Sequence, residues 1–252
     1  MDKEGGGGFR WPEGKRAAVS LSFDDARHSQ VDCGMAVLNG LGVRATFYVS
    51  VGGVELRREA WRAAAAAGHE IGNHTLRHPC SGNFPFARDK ALEGYTLERM
   101  EAELIEANDA IEELLGVRPT TFAYPCGQTF VGRGEGVRSY VPLVARHFQV
   151  GRAAFNETHN NPAYCDLAQA FSRDGDARTF EQLRAMVDQA VEAGGWLILF
   201  GHEIGPDAGV RQVTHDEALG RLCEHCLDEG SGVWLDTVAA VGAYVNGNRQ
   251  VR

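Results

Sequence analysis

Two carboxylates stand side by side in Ser22-Phe23-Asp24-Asp25, at the end of the apolar run Ala17–Phe23. In a parallel barrel this end of a strand is where reacting groups assemble. Adjacent residues leaving a strand point different ways, so one carboxylate can ligate an ion while its neighbour takes a proton. A solvated turn or a helix cap uses the same dipeptide, so the pair alone decides nothing. His74-Thr75-Leu76-Arg77-His78-Pro79 follows a second such run, His69–Asn73. An H-x-x-x-H spacing on one helical turn stacks two imidazoles on one side, where they can share an ion. Two histidines and a carboxylate, with a position left for water, form a recurrent catalytic-metal arrangement. A third run, Leu197-Ile198-Leu199-Phe200-Gly201-His202, also ends in a histidine. That residue is placed either to protonate a leaving group or to hydrogen-bond its own loop.

Such groups meet only if the strands that carry them lie in one sheet with the same ends upward. The chain alternates short apolar, β-branched runs with longer stretches of helical period, the pattern of repeated βα units around a parallel sheet. Strands are expected at Ala17–Phe23, Arg44–Val49, His69–Asn73, Thr120–Tyr124, Phe148–Ala154, Trp196–Gly201 and Val233–Leu235. Seven is close to the eight of a (β/α) barrel. Between them Val31, Met35 and Leu38 keep an i, i+4, i+7 spacing, and Leu97, Met100, Leu104, Ile111 and Leu115 make a longer stripe. Gly42, Gly68, Gly116 and Gly194 fall just past helix ends, and Thr179 with Gln182 reads as a capping box. Thr214 with Glu217 has the same spacing before another amphipathic helix. The connections Cys80–Tyr95 and Asn156–Arg178 are long and rich in Gly, Pro, Asn and Asp, as substrate-binding loops often are.

A length of 252 residues suits a single α/β barrel domain, residues 11–252, and no linker or solenoid repeat divides it. Residues 1–10, with four consecutive glycines, are expected to form a flexible arm. The net charge of -9 argues against a sequence-independent hold on nucleic acid or an anionic membrane. No apolar run is long enough for a membrane helix, and Met1–Gly8 lacks the apolar core of a secretory leader. The chain as written is therefore expected in the cytoplasm, although a secreted protein already relieved of its leader would read identically. Cys33, Cys80, Cys126, Cys165, Cys223 and Cys226 are scattered, so reduced thiols are expected. Cys223-Glu224-His225-Cys226 lies within a helical stripe and is read as packing, not as a redox or metal motif. His28, His159 and His215 are read as exposed or capping, and Trp196 and Trp234 as core.

Asp24-Asp25, His74–Pro79 and His202 together resemble the NodB-like polysaccharide deacetylases, carbohydrate esterase family 4, from about Trp11 to Val245. His74–Pro79 fits that family's H-[ST]-x-x-H-P motif at every defined position. The resemblance implies a distorted TIM-like barrel of seven strands. It also implies zinc, or cobalt, nickel or manganese, on Asp25, His74 and His78, with Asp24 as base and His202 as acid. Phe122-Ala123-Tyr124-Pro125-Cys126-Gly127 aligns with a motif usually written F-R-x-P-Y-G. Ala123 stands where an arginine supports the base, which implies an altered charge around Asp24. Cys126 replaces a tyrosine whose backbone N–H helps hold an oxyanion, a role a backbone donor can keep. Tyr124 and Pro125 would border substrate, and Phe200 and Leu199 would wall an acetyl methyl group. No D-x-x-D-W segment is found, so the fourth motif is read as absent. The activity implied is removal of acetyl groups from an N- or O-acetylated sugar or a related small molecule, at amide but not peptide bonds. The rival readings are hydrolysis of other linear or cyclic amides, or a decayed site that only binds carbohydrate. Oligomeric state is left open.

Overall fold

The structure, a computed structural model, describes residues 9–249. Eight parallel strands build one sheet: β1 (Ala17–Asp24), β2 (Thr46–Val49), β3 (Glu70–Asn73), β4 (Thr121–Ala123), β5 (Val150–Arg152), β6 (Arg173–Asp174), β7 (Trp196–Gly201) and β8 (Val233–Leu235). Their order is β5-β4-β3-β2-β1-β7-β6, and β8 pairs with the first residues of β1, below the stretch that pairs with β2. The wall comes round on itself just before β6. There Ala170 bridges Arg152 of β5, its N–H donating to Gly151 and its carbonyl accepting from Ala153, both at 2.8 Å. Seven positions thus encircle the axis, a distorted (β/α)7 barrel in a single domain.

β1 shows why these residues form a barrel wall. Val19, Leu21 and Phe23 face the surrounding helices in the main apolar core. The alternate residues turn inward: Ser20 Oγ accepts from Trp196 Nε1 at 3.0 Å, and Asp24 meets a guanidinium reaching from β5. A period of two on a buried strand therefore separates the helix-facing side from the barrel interior. The outer layer comprises α1 (Met35–Gly40), α2 (Val51–Leu56), α3 (Arg58–Ala66), α4 (Leu97–Leu115), α5 (Val141–His147), α6 (Phe180–Ala193) and α7 (Asp216–Leu227). α8 (Val238–Asn248) packs Val238, Val241 and Val245 on Ala18, Val150 and Trp196, at the N-terminal ends of β1, β5 and β7. Among the described residues no helix is long and apolar enough to cross a membrane.

Local signals mostly hold. Gly116 and Gly194 end α4 and α6 with φ of 74° and 68°, the left-handed turn that costs glycine least. Thr179 and Gln182 make both bonds of the capping box. α7 differs: it begins at Asp216 with His215 as its cap and no side-chain cap bond. Thr214 instead donates its hydroxyl to Asp176 at 2.7 Å. The first helical segment opens with a π-helical turn, Gln30–Gly34. β6 lies inside the connection Asn156–Arg178 that was expected to be irregular. Phe9 and Arg10 also belong to the body: Phe9 packs edge-on to Trp11 at 4.7 Å, and Tyr244 donates to the Arg10 carbonyl. The rest of the expected arm lies outside the described residues.

Candidate active site

Where the barrel opens at the strand C-termini, a cleft of about 980 Å³ is lined by Asp24, Asp25, His74, His78, Cys126 and His202, with Tyr124, Phe155 and Phe200 at its sides. Asp25 follows β1 in the left-handed region, φ 75°, and Ala26 continues there at 55°. This uncommon backbone is fixed from outside. The Asp25 N–H donates to Tyr48 at 3.0 Å, and its carbonyl accepts from Ser50 Oγ at 2.6 Å. Arg27 holds Oδ2 at 2.9 Å, which leaves Oδ1 turned to the imidazoles.

His74 and His78 present Nε2 to that oxygen at 3.6 and 3.5 Å. Donors about 2.1 Å from a tetrahedral ion lie about 3.4 Å from one another, so these three atoms fit the edges of one coordination shell. The other nitrogen of each ring is engaged: His74 Nδ1 lies 2.9 Å from the Ala123 carbonyl and His78 Nδ1 3.5 Å from Cys80 Sγ. A bonded Nδ1–H fixes the tautomer that leaves Nε2 free for a cation. Burial, reinforced by the neighbouring His74, pushes His78 down to about 4, so it is a neutral donor near pH 7. Asp25 is also held below its ordinary value: burial alone would raise it, but His74, His78 and Arg27 together prevail.

The two histidines are not on a helical turn. Asn73 Oδ1 accepts from the Thr75 N–H at 2.7 Å, and Thr75 Oγ1 from the His78 N–H at 2.9 Å. Thr75 and His78 take φ of 67° and 53° in the resulting loop. Side-chain acceptors have displaced the helical ladder, and the rings still meet with centroids 4.8 Å apart.

Asp24 points into the barrel and is 5% exposed. The loss of positive charge expected from Ala123 does not occur. Arg152, the register partner of Ala123 on β5, crosses the interior and places one terminal nitrogen 2.6 Å from both Asp24 oxygens. Its guanidinium lies 5.1 Å from the ring centres of both Tyr48 and Phe200. No sequence motif pointed to Arg152, which sits in an otherwise apolar run. His202 is likewise paired with a group of opposite charge. Asp176, two residues past β6, accepts from His202 Nδ1 at 2.7 Å and from the His202 N–H at 3.2 Å. Burial disfavours the imidazolium, but the Asp176 bond and the charges of Asp24, Asp176 and Asp25 outweigh it and hold His202 above its ordinary value. Gln30 ties the two halves together, its amide donating to the carbonyls of Asp24 and His202 at 2.7 and 2.8 Å.

The remaining candidates divide. Cys126 lines the cleft from a tight turn with φ 53°, and Phe200 and Tyr124 flank it, the Tyr124 hydroxyl donating to Ala168. Leu199 and Pro125 do not line it. Strand alternation sends Leu199 to the opposite face of β7, into the core with Leu21 and Leu183, and Pro125 is buried in its turn. His28 reaches the cleft, whereas His215 caps α7 and His159 packs against Gly195. Trp196 is fully buried, and Cys223 and Cys226 pack in the core.

Comparison with known proteins meets this geometry from another side. Chitin deacetylase 1 of Cryptococcus neoformans is 32% identical over 107 residues, 42% of this chain and 20% of that protein. The chain spans between 4% and 26% of the length of the curated relatives it matches. Among solved structures, a family 4 acetyl xylan esterase from Clostridium thermocellum, in complex with a cobalt ion, superposes with a TM-score of 0.58 at 18% identity, covering 90% of each chain. Puue allantoinase superposes at 0.68 and 15% identity over 96% of this chain and 94% of its own. At such identities the two superpositions establish the fold alone. The model of the polysaccharide deacetylase family matches residues 12–140, just over half the sequence and the part that carries Asp24, Asp25, His74, His78 and Cys126; the chain belongs to the polysaccharide deacetylase family.

Proposed function

We propose that this protein is a metal-dependent hydrolase that removes acetyl groups from an N- or O-acetylated carbohydrate. The observation that carries the reading is the convergence of Asp25 Oδ1 with His74 Nε2 and His78 Nε2 beside an arginine-paired Asp24 on the floor of an open cleft. Asp25, His74 and His78 would hold a divalent ion, with zinc the first choice for this donor set and cobalt, nickel or manganese alternatives. When bound, the ion supplies Lewis-acid polarisation of the acyl carbonyl and lowers the pKa of water toward roughly 7.

The remaining work falls to the chain. Asp24, ion-paired with Arg152, accepts the proton of the attacking water. The backbone N–H of Cys126 donates to the oxygen on which negative charge develops. His202, protonated and oriented by Asp176, gives its proton to the departing amine or alcohol, and acetate is released. Phe155 stands 5.1 Å from Phe200, edge to face, and supplies the apolar wall for the methyl group that Leu199 does not provide. The substrate enters as an acetylated sugar or a related small molecule.

Metal analysis with acetate release from acetylated chitin, xylan and peptidoglycan fragments tests the reading. Asp25→Ala and His78→Ala are expected to lose bound zinc and turnover together. His202→Ala is expected to keep the zinc while kcat falls by about 10²–10⁴-fold. Full turnover by metal-free Asp25→Ala protein would reject the scheme. Release of ammonia or a carboxylate from a cyclic amide, with no acetate from any sugar, would move the substrate to the amide class represented in this fold by Puue allantoinase.

A further inference from the structure

His78 has a second face. Its Nδ1 is turned away from Asp25 toward the sulfur of Cys80, 3.5 Å off, and Cys126 approaches the same point from the turn after β4. A ring nitrogen of His78 and the two sulfurs all lie within 4.8 Å of one another. Cys80 is fully buried, whereas Cys126 is partly exposed and lines the cleft, so the cluster is closed beneath and open to solvent through the cleft. No disulfide joins the two cysteines.

Two thiols and an imidazole on one point are a soft donor set, unlike the oxygen-bearing set of Asp25, His74 and His78. Sulfurs bound at about 2.3 Å to a tetrahedral ion stand about 3.8 Å apart, which the present spacing reaches with small side-chain rotations. We propose that His78 Nδ1, Cys80 Sγ and Cys126 Sγ form a second cation site, selective for thiophilic ions such as Cu(I) or Cd(II), on the floor of the same cleft. Binding there releases the thiol protons and the Nδ1 proton to solvent and changes no oxidation state. A shared imidazole couples the two sites: a soft ion at Nδ1 displaces the proton of that nitrogen to solvent, changes the charge of the ring that Nε2 shares with Asp25 and His74, and stands beside the Cys126 backbone donor. The inference rests on the reading of His78 Nε2 as a hydrolytic-metal ligand only for that coupling, not for the soft site itself.

The test is a titration of fully reduced protein, preloaded with one equivalent of Zn(II), with Cd(II) alone. It follows the ultraviolet thiolate-to-cadmium charge-transfer absorption, which no His or Asp ligand produces. One equivalent is expected to saturate the band in the wild type. Cys80→Ala and Cys126→Ala should each weaken Cd(II) binding at least tenfold and diminish the band, and Cys33→Ala should leave both unchanged. The absence of a charge-transfer band in the wild type overturns the proposal, whatever the variants do. An undiminished band in Cys80→Ala and Cys126→Ala places the ion elsewhere and overturns it too. Neither result depends on acetate release, so the soft site and the hydrolytic reading fail separately.

Discussion

His202 is useful as an acid only while it carries its proton, and its neighbours decide how long it does so. Its raised pKa keeps the imidazolium present below that value, and the acid is lost as pH rises through it. Asp176→Asn removes a charged acceptor and leaves the burial that opposes charge. A charge-assisted bond of about 1.5–3 kcal/mol corresponds to about 1–2 pH units. The alkaline limb of kcat against pH is therefore expected to move down by that amount, with zinc content unchanged; an unmoved limb would assign it to another group. Arg152 governs the other end of the proton path. Breaking a buried ion pair from one side costs about 3–5 kcal/mol, because the remaining charge stays buried and unpaired. Arg152→Met is expected to lose that much in urea unfolding. Asp24→Asn combined with Arg152→Met should be less destabilised than the sum of the single changes, and strict additivity would deny the coupling.

At the scale of elements, the site depends on how closely the strand ends approach their neighbours. A Cβ at Gly201 would come within 2.3 Å of Thr214 Oγ1 and 2.7 Å of Asp176 Oδ1, the group that orients His202. Gly201→Ala is thus expected to behave like a weakened Asp176, with full zinc occupancy and kcat at least tenfold lower; a wild-type kcat would show that β7 yields without disturbing the pair. These dependencies also mark how far the sequence could be read. Runs such as Trp196–Gly201 carry their own signal, because six consecutive buried residues bounded by glycine leave few alternatives. Asp25, His74 and His202 were visible because each follows such a run, and His78 because of its spacing from His74. β6 was not, since a two-residue strand has no period to detect. Arg152 was missed for a different reason: its partner is chosen by the pairing of Ala123 with Arg152 and by a crossing of the barrel interior, and neither leaves a local trace. The loop at His74–His78 did leave one. Pro79 disfavours a helical residue before it, and Asn73 and Thr75 are suited to capture the backbone donors that a helix would need.

For the whole molecule, the proposed ion is a ligand of the folded state alone. Asp25 follows β1, and His74 and His78 follow β3, so the donors converge only once β2 pairs between these strands and the barrel closes. Zinc that binds the native chain but not the unfolded one stabilises it by about 2.7 kcal/mol when free metal stands at a hundred times its dissociation constant. For a domain of this length each kcal/mol raises Tm by about 2–4 °C, so saturation should raise Tm by roughly 5–10 °C. A chelator should remove the gain, and metal restored in excess should return it. Asp25→Ala and His78→Ala are expected to unfold at temperatures indifferent to zinc, whereas His202→Ala, outside the proposed coordination shell, should keep the full shift. A zinc-dependent Tm that survives Asp25→Ala would place the stabilising ion elsewhere, and would separate the Arg152-paired Asp24 from the metal it is proposed to serve.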